Sequence, residues 1–227
     1  TSGQLLAANG IKGTGQNWST QGVIASHGNL DLTLGGTLDN TGRLTAATDF
    51  TLASAALNNL GTLGSGRSMT LTTASLLNQN GLLFSAADMS LRVERLKNLG
   101  ADIYAMGNLS IDLDGKGALA TSIINSSSSI QSDGNLSLAA GTLQNIRTVL
   151  TSESGIYSAS ISPVQCIENV NGGDCEGGKE NRPFLIAQRD RLMVTGASAA
   201  SSITSGANLL LVGGDVLNSS SSIAAAG

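Results

Sequence analysis

The chain has 227 residues, of which 29 are glycine and only two are proline, and its aromatic content is 3%. Its formal charge of −4 is small and is not concentrated in the repeated part of the sequence, which gives no reason to expect nucleic-acid binding. No apolar run approaches the roughly 18 residues of a membrane-spanning helix, and no signal-peptide pattern precedes the repeats.

A repeat marked by the motif Leu-x-Asn-x-Gly runs through the first hundred positions. Clear copies begin at Leu38, Leu57 and Leu96, and a looser copy begins at Leu77. A fixed period of this length, about 20 residues, indicates a solenoid, in which each unit buries its apolar face against its neighbours. Trp18 lies one such period before Leu38 and is predicted to occupy the leucine position of an earlier copy.

Two further apolar series lie between the markers. One alternates with polar residues, as expected of a strand with one buried face, and its first members are Leu30, Phe50, Met69, Met89 and Leu109. The other follows each marker glycine and comprises Ile24, Leu44, Leu63, Leu83 and Ile103. Three short apolar patches per repeat, with helical spacing nearly absent, predict an all-β fold, a parallel β-helix of about ten coils. The asparagine that recurs in the motif can form a hydrogen-bonded ladder along the coil axis.

The regular coils are predicted to cover residues 1–150, with a small insertion near 114–120. A long insertion follows at 151–184, and residues 185–227 are predicted to continue the coils. In that last segment Leu217 opens a further copy of the motif, with Ala197 lying one period before it. The chain begins and ends in mid-register, so we expect it to be a piece of a longer protein.

Two serine runs, at 126–129 and 219–222, each follow an asparagine. They are predicted to occupy the same corner of their coils. Small hydroxyl residues suit a tight corner because they can bond local backbone groups.

The long insertion contains both cysteines of the chain, both prolines and most of its net negative charge. Cys166 and Cys175 are nine positions apart around an Asn-Gly-Gly turn, a spacing that suits a disulfide in an oxidising compartment; two free thiols are the alternative. A structural zinc site needs about four nitrogen or sulfur ligands, and the chain offers two cysteines and one histidine.

A long insertion on a regular scaffold is a common place for binding function, because the scaffold holds it while its own sequence can vary. The alternative is a tolerated surface loop without a partner. The side chains predicted to form a binding surface in this loop are Tyr157, Glu168, Asn169, Arg182 and Phe184.

Three other residues are candidates for chemistry. His27 is the single histidine, follows Ser26 at a strand end, and is expected to be a solvated turn residue. Asp112 and Asp114 lie on one strand face and could hold a cation, although such acids on a strand are usually solvated. Paired-carboxylate glycosidase chemistry needs clustered acids, and six aromatic residues in the chain supply few platforms for a sugar groove. We therefore predict no catalytic, metal or cofactor site.

The segments 28–81, 126–146 and 201–225 resemble the haemagglutinin repeats of filamentous haemagglutinin-type exoproteins, which are exported by two-partner secretion. The resemblance covers nearly all of the chain outside the long insertion. It implies a right-handed parallel β-helix on the outer surface of a Gram-negative bacterium. It also implies an outer-membrane two-partner transporter as an export partner.

This family has two functional branches, adhesion and contact-dependent growth inhibition. Regular repeats that break around a cysteine-containing loop and resume in a serine-rich variant are similar to the central receptor-binding region of the growth-inhibition effectors. The sequence therefore predicts a non-catalytic segment that binds a receptor on a bacterial or host cell, either an outer-membrane protein or a surface glycan. The alternatives are a structural stalk or host-cell adhesin segment and, more remotely, a polysaccharide-active β-helix enzyme.

Overall fold

The computed structural model describes residues 3–163 and 184–227. Within these residues the regular structure consists of 22 β-strands, numbered β1 to β22 in chain order, and none of it is helical. Accordingly, the described part of the chain has no helix that could cross a membrane. Two units divide it: a solenoid of residues 1–148 and 198–227, and a second unit, residues 149–197, whose two described strands form a hairpin.

The first sheet of the solenoid contains nine short parallel strands, one from each successive coil. Each strand has four residues. Because side chains alternate along a strand, two of the four face inward, and a tight corner follows. In order across the sheet, they are β1 (Gln4–Ala7), β4 (Val23–Ser26), β7 (Arg43–Ala46), β9 (Thr62–Ser65), β11 (Leu82–Ser85), β13 (Asp102–Ala105), β16 (Ser129–Ser132), β20 (Ser202–Ser205) and β22 (Ser222–Ala225).

The second sheet contains eleven strands and carries the other two apolar patches of each coil. In three coils the two patches are separate strands, and in the others they merge into one strand of 10 or 11 residues. The members are β2 (Ile11–Gly15), β3 (Trp18–Thr20), β5 (Leu30–Leu34), β6 (Thr37–Asn40), β8 (Phe50–Asn59), β10 (Met69–Gln79), β12 (Met89–Leu99), β14 (Leu109–Asp112), β15 (Ala120–Ser126), β17 (Leu136–Ile146) and β21 (Leu209–Ser219). The predicted all-β parallel solenoid of about ten coils is confirmed.

The core consists of columns of aliphatic side chains that stack from coil to coil. One column follows the series predicted from the alternating pattern, with Leu30, Phe50, Met69, Met89, Leu109 and Leu136 in register. Trp18 is in register with Leu38, as predicted. Most of these side chains are almost fully buried, and each contributes on the order of 1.5–3 kcal/mol by leaving water. No coil could bury these residues alone, so the stacking of coils is what stabilises the fold.

A ladder of asparagine side chains runs along one corner of the solenoid. Each side-chain amide donates to the amide oxygen of the asparagine in the next coil at 2.7–2.9 Å. The amide nitrogens also donate to backbone carbonyls, as Asn59 does to that of Leu82. Buried polar groups of this kind are stable only when they are fully bonded. The ladder comprises Asn40, Asn59, Asn78, Asn98, Asn125, Asn145 and Asn218, and all but the last are 0% exposed.

The looser copy of the motif lies one residue away from its predicted place. Leu76, rather than Leu77, is in register with Leu57 and Leu96. The reason is that the ladder fixes Asn78, and the corner after it holds one extra residue, Asn80.

This extra residue has a left-handed backbone conformation. Asn80 has a φ of +51°, and the equivalent positions are Gly100, Ser127 and Ser220, with φ of +56°, +49° and +51°. The longer coils therefore differ from the shorter ones by one residue in the left-handed region, which glycine and asparagine tolerate best.

The prediction that residues 185–227 continue the coils is confirmed for residues 198–227 and wrong for residues 185–197. Val216, not Leu217, is in register with Leu143, and Ala197 lies in the hairpin, where it pairs with Leu150. The hairpin unit extends to Ala197, so residues 185–197 belong to the insertion and not to the coils. The prediction placed Ala197 by counting one period back from Leu217, which is not the residue in register with Leu143.

The ladder can be tested by comparing two adjacent asparagines. Asn59→Ala should lower the free energy of unfolding by about 2–4 kcal/mol, because the buried amide nitrogen of Asn40 and the buried amide oxygen of Asn78 each lose their bond to Asn59. Asn58→Ala removes a bond from Asn58 to Asp39 that is open to solvent, and should cost less than about 1 kcal/mol. Equilibrium urea unfolding of both variants measures the difference; equal losses would contradict a structural role for the ladder.

Candidate functional site

The hairpin is formed by two antiparallel strands of 14 residues, β18 (Leu150–Pro163) and β19 (Phe184–Ala197). Its register is interrupted twice, between Thr151 and Ser152 and between Ile156 and Ser158. The second interruption leaves Tyr157 without a partner across the ladder, as in a β-bulge. A bulge shifts the alternation of side chains by one, so residues on either side of it change face.

This bulge gathers five large apolar residues on one face of the hairpin. Ile156 and Ile161 are five positions apart and would lie on opposite faces of a regular strand, but the bulge at Tyr157 places them together. Across the ladder, Ile161 pairs with Ile186, and Leu192 and Val194 follow on the same face. These five side chains, which we call the apolar face, are 62–70% exposed. Uncovered apolar surface of this kind usually marks an interaction site.

The apolar face also has a polar centre. Gln188 and Asp190 lie between its two ends, and the Gln188 amide donates to the Asp190 carboxylate at 2.7 Å. Because these two groups bond each other, they need fewer partners from elsewhere when the face is covered.

The opposite face of the hairpin is more polar along its middle. Ser158 and Ser160 lie there on β18, and Arg189 and Arg191 lie there on β19. The guanidinium of Arg191 lies over the ring of Tyr157, with 5.5 Å between its central carbon and the ring centroid. This cation–π contact contributes on the order of 0.5–1 kcal/mol at an exposed site and holds the bulged tyrosine against the arginine.

The chain leaves the solenoid for the insertion and re-enters it at nearly the same point. The hydroxyl oxygen of Ser127 lies 2.9 Å from that of Thr148, the last solenoid residue before the insertion, and 2.8 Å from that of Ser198, the first residue after it. The backbone amide of Thr148 also donates to the Ser127 hydroxyl. The two ends of the insertion are therefore joined at one serine.

The serine-rich runs fill one corner, as predicted. The hydroxyls of Ser128 and Ser201 each bond backbone groups, and Ser201 bridges to the carbonyl of Ile146 at 2.6 Å. Bonds from backbone amides to serine hydroxyls link successive coils at this corner. The backbone amide of Ala101 donates to the Ser128 hydroxyl, the amide of Ser128 donates to the Ser201 hydroxyl, and the amide of Ser201 donates to the Ser221 hydroxyl. Small hydroxyl side chains suit such a tight corner because they satisfy backbone groups without adding volume.

The structure describes only part of the predicted binding surface. Tyr157 is exposed and lies beside Arg191. The backbone of Phe184 begins β19 opposite Pro163. The predicted disulfide of Cys166 and Cys175 lies outside the described residues, as do Glu168, Asn169 and Arg182.

Sequence reasoning missed the five residues of the apolar face. The sequence of β19, FLIAQRDRLMVTGA, has an apolar run on either side of a polar middle, and this pattern marks no single face of the strand. In β18 the bulge breaks the alternation, so the two isoleucines give no period-two pattern. That bulge is a property of the paired strands and could not be read from one of them.

The small insertion is an ordered turn between β14 and β15. The carboxylate of Asp112 accepts the backbone amides of Gly115 and Gly117, at 2.5 and 2.9 Å. Asp114 accepts those of Lys116 and Ala118, at 2.8 and 3.1 Å. Asp114 lies beyond the end of the strand, so the two acids do not share a strand face as predicted. Both carboxylates organise the turn, and no group of three or more potential metal ligands occurs in the described ranges.

Two further places bear on catalysis. His27 is exposed in a turn, where its backbone amide donates to Ala7. A shallow groove on the second sheet is lined mainly by hydroxyl and amide side chains, and Asp88 is the one carboxylate in its lining. One oxygen of Asp88 accepts both the backbone and side-chain amides of Asn108. A glycosidase needs two carboxyl groups about 5–10 Å apart, and this groove does not supply them.

Comparison of the chain with family models, curated proteins and solved structures found no match. Function is therefore inferred from the geometry described above and from the resemblance of the repeats.

The turn at the small insertion should respond to acid. The backbone amides of Lys116 and Ala118 lower the pKa of Asp114 below its ordinary value. Because the folded pKa is the lower one, the ionised carboxylate stabilises the turn above the unfolded pKa, and this contribution is lost as the pH falls through the folded pKa. Amide NMR shifts of Lys116 and Ala118 should therefore change below about pH 4. Asp114→Asn should abolish that change while it retains an acceptor for the turn, and an unchanged acid response in this variant would assign the effect elsewhere.

Proposed function

We propose that the chain is a non-catalytic β-helical segment of a large secreted cell-surface protein, and that it binds a receptor through the hairpin of residues 149–197. The observation that carries this proposal is the apolar face of Ile156, Ile161, Ile186, Leu192 and Val194, each at least 62% exposed. In a two-stranded sheet, an uncovered face of this kind adds no stability to the chain itself. It favours association, because covering it removes apolar surface from water.

The receptor that suits this face is a protein. The buried core of a protein interface is more apolar than the rest of the protein surface. The apolar face supplies five aliphatic side chains for such a core, with Gln188 and Asp190 bonded to each other among them. Of the two receptor classes expected from the repeats, an outer-membrane protein fits better than a surface glycan, since a glycan offers little aliphatic surface to cover the face.

The resemblance of the repeats to those of filamentous haemagglutinin-type exoproteins supports the proposed location and parent protein. It implies a parent protein on the outer surface of a Gram-negative cell, exported by an outer-membrane two-partner transporter. It favours the receptor-binding region of a contact-dependent growth inhibition effector, and the position of the hairpin between regular coils is similar to that region.

The second candidate is a structural stalk or host-cell adhesin segment. The regular columns of the solenoid favour it, since stacked coils by themselves provide length and stiffness. A stalk has no use for an exposed apolar hairpin, so the two candidates differ in whether the hairpin is needed for binding to bacterial cells.

Removal of the hairpin tests the proposal directly. Residues 149–197 are replaced by a short Gly-Ser linker, because Thr148 and Ser198 already meet at the Ser127 hydroxyl. The solenoid should keep its β-rich circular dichroism spectrum, and binding of the labelled chain to target bacteria in flow cytometry should fall to background. Undiminished binding by a folded deletion variant would favour the stalk.

A matched pair of variants locates the binding face. Ile161→Asp with Ile186→Asp places two charges on a cross-strand pair of the apolar face, and should weaken cell binding by tenfold or more. Ser160→Asp with Ala187→Asp places the same charges on the adjacent pair of the opposite face, and should change it less than threefold. Equal effects of the two double variants would contradict a role for the apolar face.

A further inference from the structure

A pair of aromatic rings lies on the outer face of the first sheet, away from the hairpin residues in sequence. Side chains of each strand alternate between the core and this outer face, and one outward column passes through Thr45, Gly64, Phe84, Tyr104 and Gln131 in register. The rings of Phe84 and Tyr104 are 5.8 Å apart between centroids and tilted by 45°. Both side chains are half-buried, so each ring keeps part of its surface open to water.

Aromatic residues are scarce in this chain, which contains one tryptophan, two tyrosines and three phenylalanines. Phe50 is in the core and Trp18 packs against it. The adjacent placement of two others on an outer face is not required by the core, where the inward positions of these strands hold Leu83 and Ile103.

Hydrogen-bonding groups surround the ring pair on one side. The Tyr104 hydroxyl donates to one carboxylate oxygen of Asp133 at 2.5 Å, and the Gln131 amide donates to the other at 3.4 Å. One oxygen of Asp102 accepts the Ser129 hydroxyl at 2.5 Å. These carboxylates are held in place by neighbouring side chains and still have lone pairs for further donors.

A glycine adjoins the ring pair on the side of the preceding coil. Gly64 is in register with Phe84, and a Cβ atom there would meet only the Thr45 methyl group, at 3.3 Å. Gly64 itself is buried, so the surface that a ligand could reach is that of the two rings.

We propose that this surface, formed by Phe84, Tyr104, Asp102 and Asp133, binds a neutral oligosaccharide. A pyranose ring has a face of C–H groups that packs on an aromatic ring, and its hydroxyls donate hydrogen bonds to carboxylates. The two rings on successive coils provide apolar surface along the coil axis. Because the polar groups include two carboxylates, sugars that carry acidic groups are repelled.

This surface shares no residue with the hairpin and does not depend on the proposed function. A chain without its hairpin should still bind the sugar, and a chain without the rings should still bind cells through the apolar face. The two proposals can therefore fail independently.

Saturation-transfer NMR with the full chain tests the site. The probes are cellotetraose, chitotetraose, mannotetraose and galactotetraose as neutral sugars, and tetragalacturonic acid and sialyllactose as acidic ones. At least one neutral probe should bind, and neither acidic probe should. Binding of no neutral probe, or of acidic probes alone, would overturn the proposal.

Variants then assign the binding to the rings. Phe84→Ala and Tyr104→Ala should each weaken binding of the neutral probe at least tenfold, whereas Thr204→Ala, in the same outward column two coils beyond Tyr104, should leave it unchanged. Gly64→Arg keeps both rings and places a long side chain beside the Phe84 ring, so it should also weaken binding, which keeps the test valid if a ring variant unfolds. Wild-type affinity in folded Phe84→Ala, Tyr104→Ala and Gly64→Arg variants would refute the site.

Discussion

The buried asparagine ladder is the interaction on which the rest of this structure depends. An unbonded amide in an aliphatic core costs more than a hydrogen bond returns, so each asparagine is stable only when the coils above and below place theirs in line. Apolar columns alone would tolerate a shift of a coil, because leucine packs against leucine in many positions. The ladder removes that freedom, and the seven coils that carry its asparagines are aligned at one corner.

This alignment separates the constant part of the chain from the variable part. Neighbouring ladder residues are 19, 20, 27 or 73 positions apart in sequence, yet their amide bonds stay within 2.7–2.9 Å. A single left-handed residue, a turn organised by Asp112 and Asp114, and a whole hairpin all fit between two ladder positions. None of the described hairpin residues belongs to the solenoid core, and the apolar face stays exposed.

The fold could be predicted from sequence because its determinants are local and repeated. The series that begins with Leu30 shows both the strand period and the coil length, and Trp18 could be placed by counting. Leu77 and Leu217 were assigned one residue away from the true marker, because an apolar residue stands at both positions and only the hydrogen-bonded asparagine identifies the right one.

The candidate site could be predicted only in part. The insertion was visible because the repeat stops, and Tyr157, chosen from the sequence, is exposed. The apolar face was not visible, since Ile156 and Ile161 share it only through a bulge in paired strands. The ring pair was hidden for another reason: Phe84 and Tyr104 lie on successive coils, a full repeat apart in sequence, and meet only through stacking.

The contact of both insertion ends with the Ser127 hydroxyl has a consequence for the evolution of proteins built from these coils. Because Thr148 and Ser198 both reach the Ser127 hydroxyl, the chain leaves and re-enters the solenoid at almost the same point. A segment of any length whose termini lie close together could be exchanged there by recombination without altering the scaffold on either side. Lineages that share these coils could in this way diversify what they recognise while inheriting an unchanged framework.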